Sequence, residues 1–283
     1  MRHGSSSGRR RETSHSSSAR TEWGCFTRFR VGGKLASRET LDLVEVTSTA
    51  IERRHPWEEA RFAFFRRVLG RAGLPAADAP VLDVGSGDAW FASRLAEETG
   101  AELVCWDTGY AAGAPPVRAT GLRLTSEAPP ERFSLVLALD VAEHVPDDHR
   151  FVADLVSERL TDGGHLLFSV PAWPRLFSRH DALLRHVRRY TPRTARALLD
   201  AAGVRVVAGG GLFHSLLLPR AAQKVAERFR DDPPRHAGEW SAPGWVTGAV
   251  KAALAVDTRA SLLFSQAGWD VPGLSWWALC RKR

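Results

Sequence analysis

The sequence predicts an α/β fold, a mostly parallel sheet with helices on both faces. Three observations carry this. Between residues 81 and 170, short apolar runs alternate with amphipathic ones. The apolar runs are unbroken, as strands buried on both faces must be. A glycine-rich turn, Gly85-Ser86-Gly87, joins the first run to the first amphipathic stretch. This βαβα rhythm is the signature of a parallel sheet.

The elements follow in order. From residue 39 to 74 the pattern is helical, with Trp57, Phe62, Phe65 and Val68 or Leu69 at helix-compatible spacing and Gly70 and Gly73 ending the run. Val81–Val84 follows Pro80 as the first strand. Phe91 and Leu95 mark a helix that Gly100 can cap. Leu103–Trp106 reads as the second strand, 122–124 as a weak third and 135–139 as a strong fourth. Phe151, Val152, Leu155 and Val156 make a helix face, and Gly163-Gly164 a turn before a fifth strand at 166–170. A polar, basic stretch over 173–190 leads to a helix at 191–202 and a strand at 204–207. Residues 212–265 read as a partly helical insertion, and 275–280 as a closing apolar strand.

Length, 283 residues, allows one large domain or two small ones. The net charge of +7 and a pI near 10.0 invite a nucleic-acid reading, so the location of the charge matters. Residues 1–40 hold nine basic residues against three acidic ones, which places +6 there; residues 41–280 carry −2. Residues 1–20 contain seven serines and nothing large and apolar after Met1, so residues 1–40 are expected to be a disordered basic tail. Residues 41–75 are expected as an N-terminal helical segment that could fold over the site as a lid, and 76–283 as the main domain. Three cysteines, Cys25, Cys105 and Cys280, stand far apart. That excludes a disulfide framework or a cysteine-rich zinc site, and suits a reducing, cytoplasmic setting. No apolar run of about 18 residues occurs, so no transmembrane helix is expected. The apolar stretch 212–218 reads best as a buried helix, with a substrate channel or peripheral membrane contact as alternatives.

The chemistry gathers around Val81-Leu82-Asp83-Val84-Gly85-Ser86-Gly87-Asp88-Ala89-Trp90-Phe91. Glycines between a buried strand and a helix let backbone approach a ligand at the carboxyl edge of a sheet; a tight turn alone also explains them. The second strand ends in Asp107, an acid placed to accept hydrogen bonds from both hydroxyls of a ribose. A nicotinamide fold shares this logic but needs a third glycine where Trp90 stands, which opposes an oxidoreductase.

These segments resemble the class I S-adenosylmethionine-dependent methyltransferases, a Rossmann-like family. DVGSGDAWFASRLA is similar to their first motif, VCWD to their second-strand acid, LVLALDVAEHV to their fourth-strand motif and DGGHLLFSVPA to their fifth strand. HPWEEARFAFF and FSRHDALLRHVRRYT resemble one bacterial small-molecule subgroup. Two positions depart from the pattern: Ala89 replaces a frequent glycine, and Ser134 a frequent acid at the start of the fourth strand. The resemblance implies a seven-stranded sheet with its last strand antiparallel, and S-adenosyl-L-methionine as cofactor. It implies that Asp83 orients the methionine amino group, that Gly85, Ser86 and Gly87 bring backbone to the cofactor, and that Asp107 holds the ribose. Trp106 or the residue after Asp107 would flank the adenine, Thr125 and Ser126 its edge, and Asp140 would lie near the methionine moiety. Asp88 reads as a helix cap and Trp90 as packing.

For the acceptor side, His144, His180, Asp181 and His186 are candidate bases; burial as a loop-fixing histidine also explains His144. Glu143 and His144 could ligate a metal, but the sequence places no further ligand beside them, so none is expected. Arg185, Arg188 and Arg189 could clamp an acidic group or form a solvated face. Trp57 and Arg61 could reach the pocket. The expected activity is methyl transfer to a small molecule, most directly an oxygen of a glycan, lipid-linked or secondary-metabolite acceptor, with no specific nucleic-acid partner. A catalytically inactive interaction module is the alternative; the presence of both Asp83 and Asp107 opposes it.

Overall fold

The computed structural model describes Met1 and residues 54–283 apart from 77–78, 118, 228, 230–239 and 241; all but Met1 belong to the unit Glu39–Arg283. The tail expected over residues 1–40, and the first part of the helical segment expected over 41–75, lie outside the described residues.

Seven strands form one sheet: β1 (Val81–Val84), β2 (Leu103–Trp106), β3 (Leu122–Thr125), β4 (Phe133–Leu139), β5 (Leu160–Pro171), β6 (Val204–Leu212) and β7 (Ser275–Lys282). Their order is β3-β2-β1-β4-β5-β7-β6. The pairs among the first five are parallel, and β7 runs antiparallel to both β5 and β6. Every residue of β1 and β2 is buried, as two covered faces require. The chain winds from β1 toward β3 in one direction and from β4 outward in the other. The crevice at this reversal, beyond the carboxyl ends of β1 and β4, is where open α/β sheets bind ligands.

Seven helices accompany the sheet: α1 (Pro56–Arg71), α2 (Trp90–Thr99), α3 (Asp148–Asp154), α4 (Arg179–Leu183), α5 (Pro192–Ala201), α6 (Leu217–Ala226) and α7 (Gly244–Gln266). α1 starts with His55 Nδ1 accepting from Trp57 N, Pro56 in its first turn, and Glu58 and Glu59 facing its positive end. Phe64 and Phe65 are fully buried, and the Phe64 ring meets Trp277 of β7 edge-on at 5.0 Å. α1 is thus built into the core, and its N-terminal turns approach the site.

Three expectations change in detail. Gly163-Gly164 does not precede a separate strand: β5 begins at Leu160, and the pairing with β4 jumps from Phe133↔Leu160 to Leu135↔His165, looping out the glycines. The 151–156 helix face is buried as expected, but after Asp154 α3 widens into a π turn, Leu155–Arg159. The apolar stretch 212–218 is not one buried helix. Leu212 ends β6, Phe213 turns at φ 63°, and α6 starts at Leu217 with Leu218 exposed. Among the described residues no helix is long and apolar enough to cross a membrane. Cys105 and Cys280 are buried and free.

Candidate active site

Register sets the geometry of the sheet edge. Val84 lies beside Trp106 on one flank and Ala138 on the other, so the residues that follow β1, β2 and β4 emerge together. They are the glycine loop, Asp107 and Asp140. Gly85 and Gly87 both have positive φ, 65° and 54°. A Cβ on Gly85 would fall 2.7 Å from Val141 Cγ2, so no side chain fits there; a Cβ on Gly87 would meet nothing within 4 Å, so the loop is open on that side. Asp107 Oδ2 accepts from Gly87 N at 2.9 Å and Oδ1 from Gly109 N at 2.7 Å. An ionised carboxylate has about four acceptor positions, enough to hold this loop and a ribose together. Ser86 Oγ hydrogen-bonds the Tyr110 hydroxyl at 2.9 Å.

Below the loop, Asp83 is buried, and burial pushes its carboxyl up to about 7 against the opposing pull of the Arg61 guanidinium. Asp140 adopts φ 59°, a left-handed conformation that costs a non-glycine residue about 1–3 kcal/mol and tends to cluster at functional sites. Two bonds hold it: Ser169 Oγ donates to Oδ1 at 2.9 Å, and Arg61 Nη2 pairs with Oδ2 at 3.1 Å. Arg61 comes from α1 and lies over the Trp57 ring, 5.2 Å from its centroid. Its Nε is buried with no hydrogen-bond partner among the described residues.

On the acceptor side, a one-turn helix over Ala142–His144 follows Asp140. Val187 N donates to Glu143 O at 2.8 Å, stitching this turn to the segment after α4. The stitch brings the His144 and His186 rings together edge-on, with centroids 4.7 Å apart. Asp181 is fully buried and accepts from His186 Nδ1 at 2.9 Å, Arg189 Nε at 2.7 Å, Arg220 Nη2 at 3.2 Å and Ser178 N at 2.9 Å. Burial alone would raise its pKa, but the hydrogen bonds from His186 and Arg189 overcome that and hold it well below the usual carboxylate range. Glu143 is enclosed too, and burial, reinforced by Asp140, pushes its carboxyl well above its usual value.

The family pattern described as Methyltransferase domain matches residues 57–208, more than half of the chain and the whole of this site except Arg220. The chain belongs to that family. It is a methyltransferase. Among solved structures, it is similar to the complex of the Haloferax volcanii Trm112 methyltransferase activator with a protein assigned as a methyltransferase: 14% identity, 87% of this chain and 99% of that chain covered, TM-score 0.51. It also matches an S-adenosylmethionine-dependent methyltransferase of Mesorhizobium loti, at 19% identity, 79% and 100% coverage and TM-score 0.46. The [4+2]-cyclase SpnF matches at 15% identity, 81% and 83% coverage and TM-score 0.47. No curated protein matches this chain.

In this methyltransferase, Asp83, Gly85, Ser86, Gly87, Asp107 and Asp140 sit on or beside one sheet edge, as their motifs implied. Asp181 is not an exposed base, since it is enclosed and fully engaged; what it offers the site is a grip on His186. Asp88 Oδ1 accepts from Trp90 N at 3.1 Å and pairs with Arg54, but the cap position of α2 is held by Ala89, one residue later than the cap expected at Asp88; Trp90 packs on Phe62. Thr125 spends its hydroxyl on a local turn to Glu127. Arg188 pairs with Asp148 and Arg189 is buried on Asp181, so neither forms a solvated face. Tyr110, Ser169 and Arg220 escaped sequence reasoning. Each reaches its partner across the sheet edge or from a distant helix, and no local spacing signals it.

Proposed function

We propose that this methyltransferase methylates an oxygen of a small-molecule acceptor, a glycan, lipid-linked or secondary-metabolite hydroxyl. The observation that carries the reading is the imidazole pair His144 and His186, set beyond the Asp140 end of β4 with Asp181 fixed behind His186. A hydroxyl gains most from such a device, because it must lose its proton as it accepts the methyl; general-base help of this kind is worth about 10²–10⁴-fold. The near-neutral body, −2 over residues 41–280, supports a small acceptor over a nucleic acid.

The residues at the sheet edge fit the cofactor. The open side of Gly87, the acceptor capacity of Asp107, the raised carboxyl of Asp83 and the unpartnered Arg61 Nε match a ribose, an ammonium and a carboxylate. Bound S-adenosylmethionine supplies an electrophilic methyl on a positively charged sulfur. Asp107 would hold the ribose hydroxyls while Gly85 and Gly87 admit the chain of the cofactor against backbone. Asp83 would orient the methionine ammonium, and Arg61, braced on Asp140, its carboxylate. The His144–His186 face would draw off the hydroxyl proton as the oxygen–carbon bond forms and the carbon–sulfur electron pair stays on sulfur. Much of the rate would come from this alignment, which is worth up to about 7–11 kcal/mol in ideal cases.

Methyl-labelled cofactor, incubated with the protein and fractionated cell extract, tests the reading. Base-stable label in the low-mass or lipid fraction supports an ether product. Label in nucleic acid or protein overturns the acceptor class.

A further inference from the structure

Glu143 is a buried acid whose polar atoms are left unsatisfied. Its side chain is fully buried, and neither carboxylate oxygen has a hydrogen-bond partner among the described residues. A buried polar group left in that state is costly unless something binds it. Asp140, Arg61 and Arg189 act on it from a distance, and a pair of imidazoles lies beside it. His186 Nε2 stands 4.0 Å from Glu143 Oε1, and the ligand atoms of Glu143, His144 and His186 all lie within 4.8 Å of one another.

The orientation of His186 is fixed from behind. A carboxylate as well supplied with donors as Asp181 can only accept, so the bond at 2.9 Å places the proton of His186 on Nδ1. Nε2 is then the nitrogen that faces Glu143, 4.0 Å from its Oε1. A carboxylate that fixes the far nitrogen of an imidazole is the usual support of a metal-bound histidine. Here the support is itself clamped by Arg189, Arg220 and Ser178.

We propose that Glu143, His144 and His186 bind one divalent transition-metal cation of the zinc type, with Asp181 positioning His186 for it. Two imidazole nitrogens and one carboxylate suit zinc and its neighbours rather than magnesium or calcium, which prefer all-oxygen sites. Ligand atoms around such an ion lie about 3.3–3.5 Å apart, given bonds of about 2.0–2.2 Å. The three groups therefore close by small side-chain rotations, with no movement of the stitched backbone. The inference rests on the hydroxyl acceptor proposed above and deepens it with one change: imidazoles that ligate a cation no longer act as bases, so with the metal bound the hydroxyl proton leaves to solvent rather than to His144 or His186. Three protein ligands leave a position open for the acceptor oxygen, whose proton the cation makes easier to lose to solvent. The methyl then passes from sulfur to that oxygen, the electron pair of the broken carbon–sulfur bond staying on sulfur.

The test uses the full chain, stripped with a chelator and titrated with Zn²⁺ by calorimetry and with Co²⁺ by its visible spectrum. One equivalent is expected to bind. Glu143→Gln, which keeps shape and removes charge, should weaken binding at least tenfold, as should His144→Ala and His186→Ala, and Asp181→Asn should weaken it about 10–100-fold. Wild-type protein that takes up no Zn²⁺ or Co²⁺, or a Glu143→Gln variant that binds as tightly as wild type, overturns the proposal. S-adenosylmethionine binding is measured in parallel on the same samples. Its loss in wild type would count against the methyl-transfer reading, whereas its retention without metal binding would sink the metal alone.

Discussion

His186 donates from Nδ1 to Asp181 across 2.9 Å, and through that bond a fully buried carboxylate sets the direction of an imidazole at the active-site edge. The same carboxylate pairs with both Arg189 and Arg220, so one side chain couples the orientation of His186 to the packing of α4, α6 and the segment after β5.

Asp181→Asn should therefore fail in two separable ways. Removing the charge leaves two buried guanidiniums without their counter-ion, which is expected to cost about 3–5 kcal/mol in a denaturant melt. At temperatures where the variant is folded, turnover should fall at least tenfold while the affinity for S-adenosylmethionine stays within twofold. Equal losses in both would place Asp181 in the cofactor site instead.

Gly85 carries two constraints, a positive φ and a neighbour. Gly85→Ala should destabilise by about 1–3 kcal/mol, because its Cβ would sit 2.7 Å from Val141 Cγ2. Adding Val141→Ala should relieve the clash but leave the left-handed strain, about 1–2 kcal/mol. A double variant with full wild-type stability would mean that the turn relaxes elsewhere.

The raised carboxyl of Asp83, about 7, gives cofactor binding a pH dependence. Its folded value lies above its unfolded one, so the free protein keeps this proton up to about pH 7 and the unfolded chain does not. The stability it contributes is present at low pH and fades as pH rises toward 7. Binding an ammonium requires the ionised form. Affinity for S-adenosylmethionine should rise by up to about tenfold per pH unit approaching 7, with proton release seen as a buffer-dependent heat. Asp83→Asn should bind weakly at every pH. A pH-independent wild-type affinity would remove Asp83 from ammonium binding.

Much of the cofactor edge was legible because its signals are local. Gly85 and Gly87 declare a turn, continuous apolar runs such as Val81–Val84 and Leu103–Trp106 declare buried strands, and Asp107 follows its strand directly. The acceptor side was harder. His144 and His186 stand on different segments that are joined only in the fold, by bonds such as Val187 N to Glu143 O and Arg188 to Asp148, so no spacing in the sequence shows Glu143, His144 and His186 as one cluster. Asp181 is a candidate base in the sequence because its segment follows the fifth strand, toward the expected site; the structure encloses it against Arg189 and Arg220. The looped-out Gly163-Gly164 and the broken 212–218 stretch misled for a related reason. Glycines mark bulges as well as turns, and an apolar run does not tell a strand end from a helix start.

Asp107 both holds the glycine loop and is assigned the ribose. Calorimetry of S-adenosylmethionine binding to wild type and Asp107→Ala is the most direct measurement. One equivalent bound by wild type and at least a hundredfold weaker binding by Asp107→Ala is the predicted result. A variant that binds as tightly as wild type would contradict the placement of the cofactor at this edge.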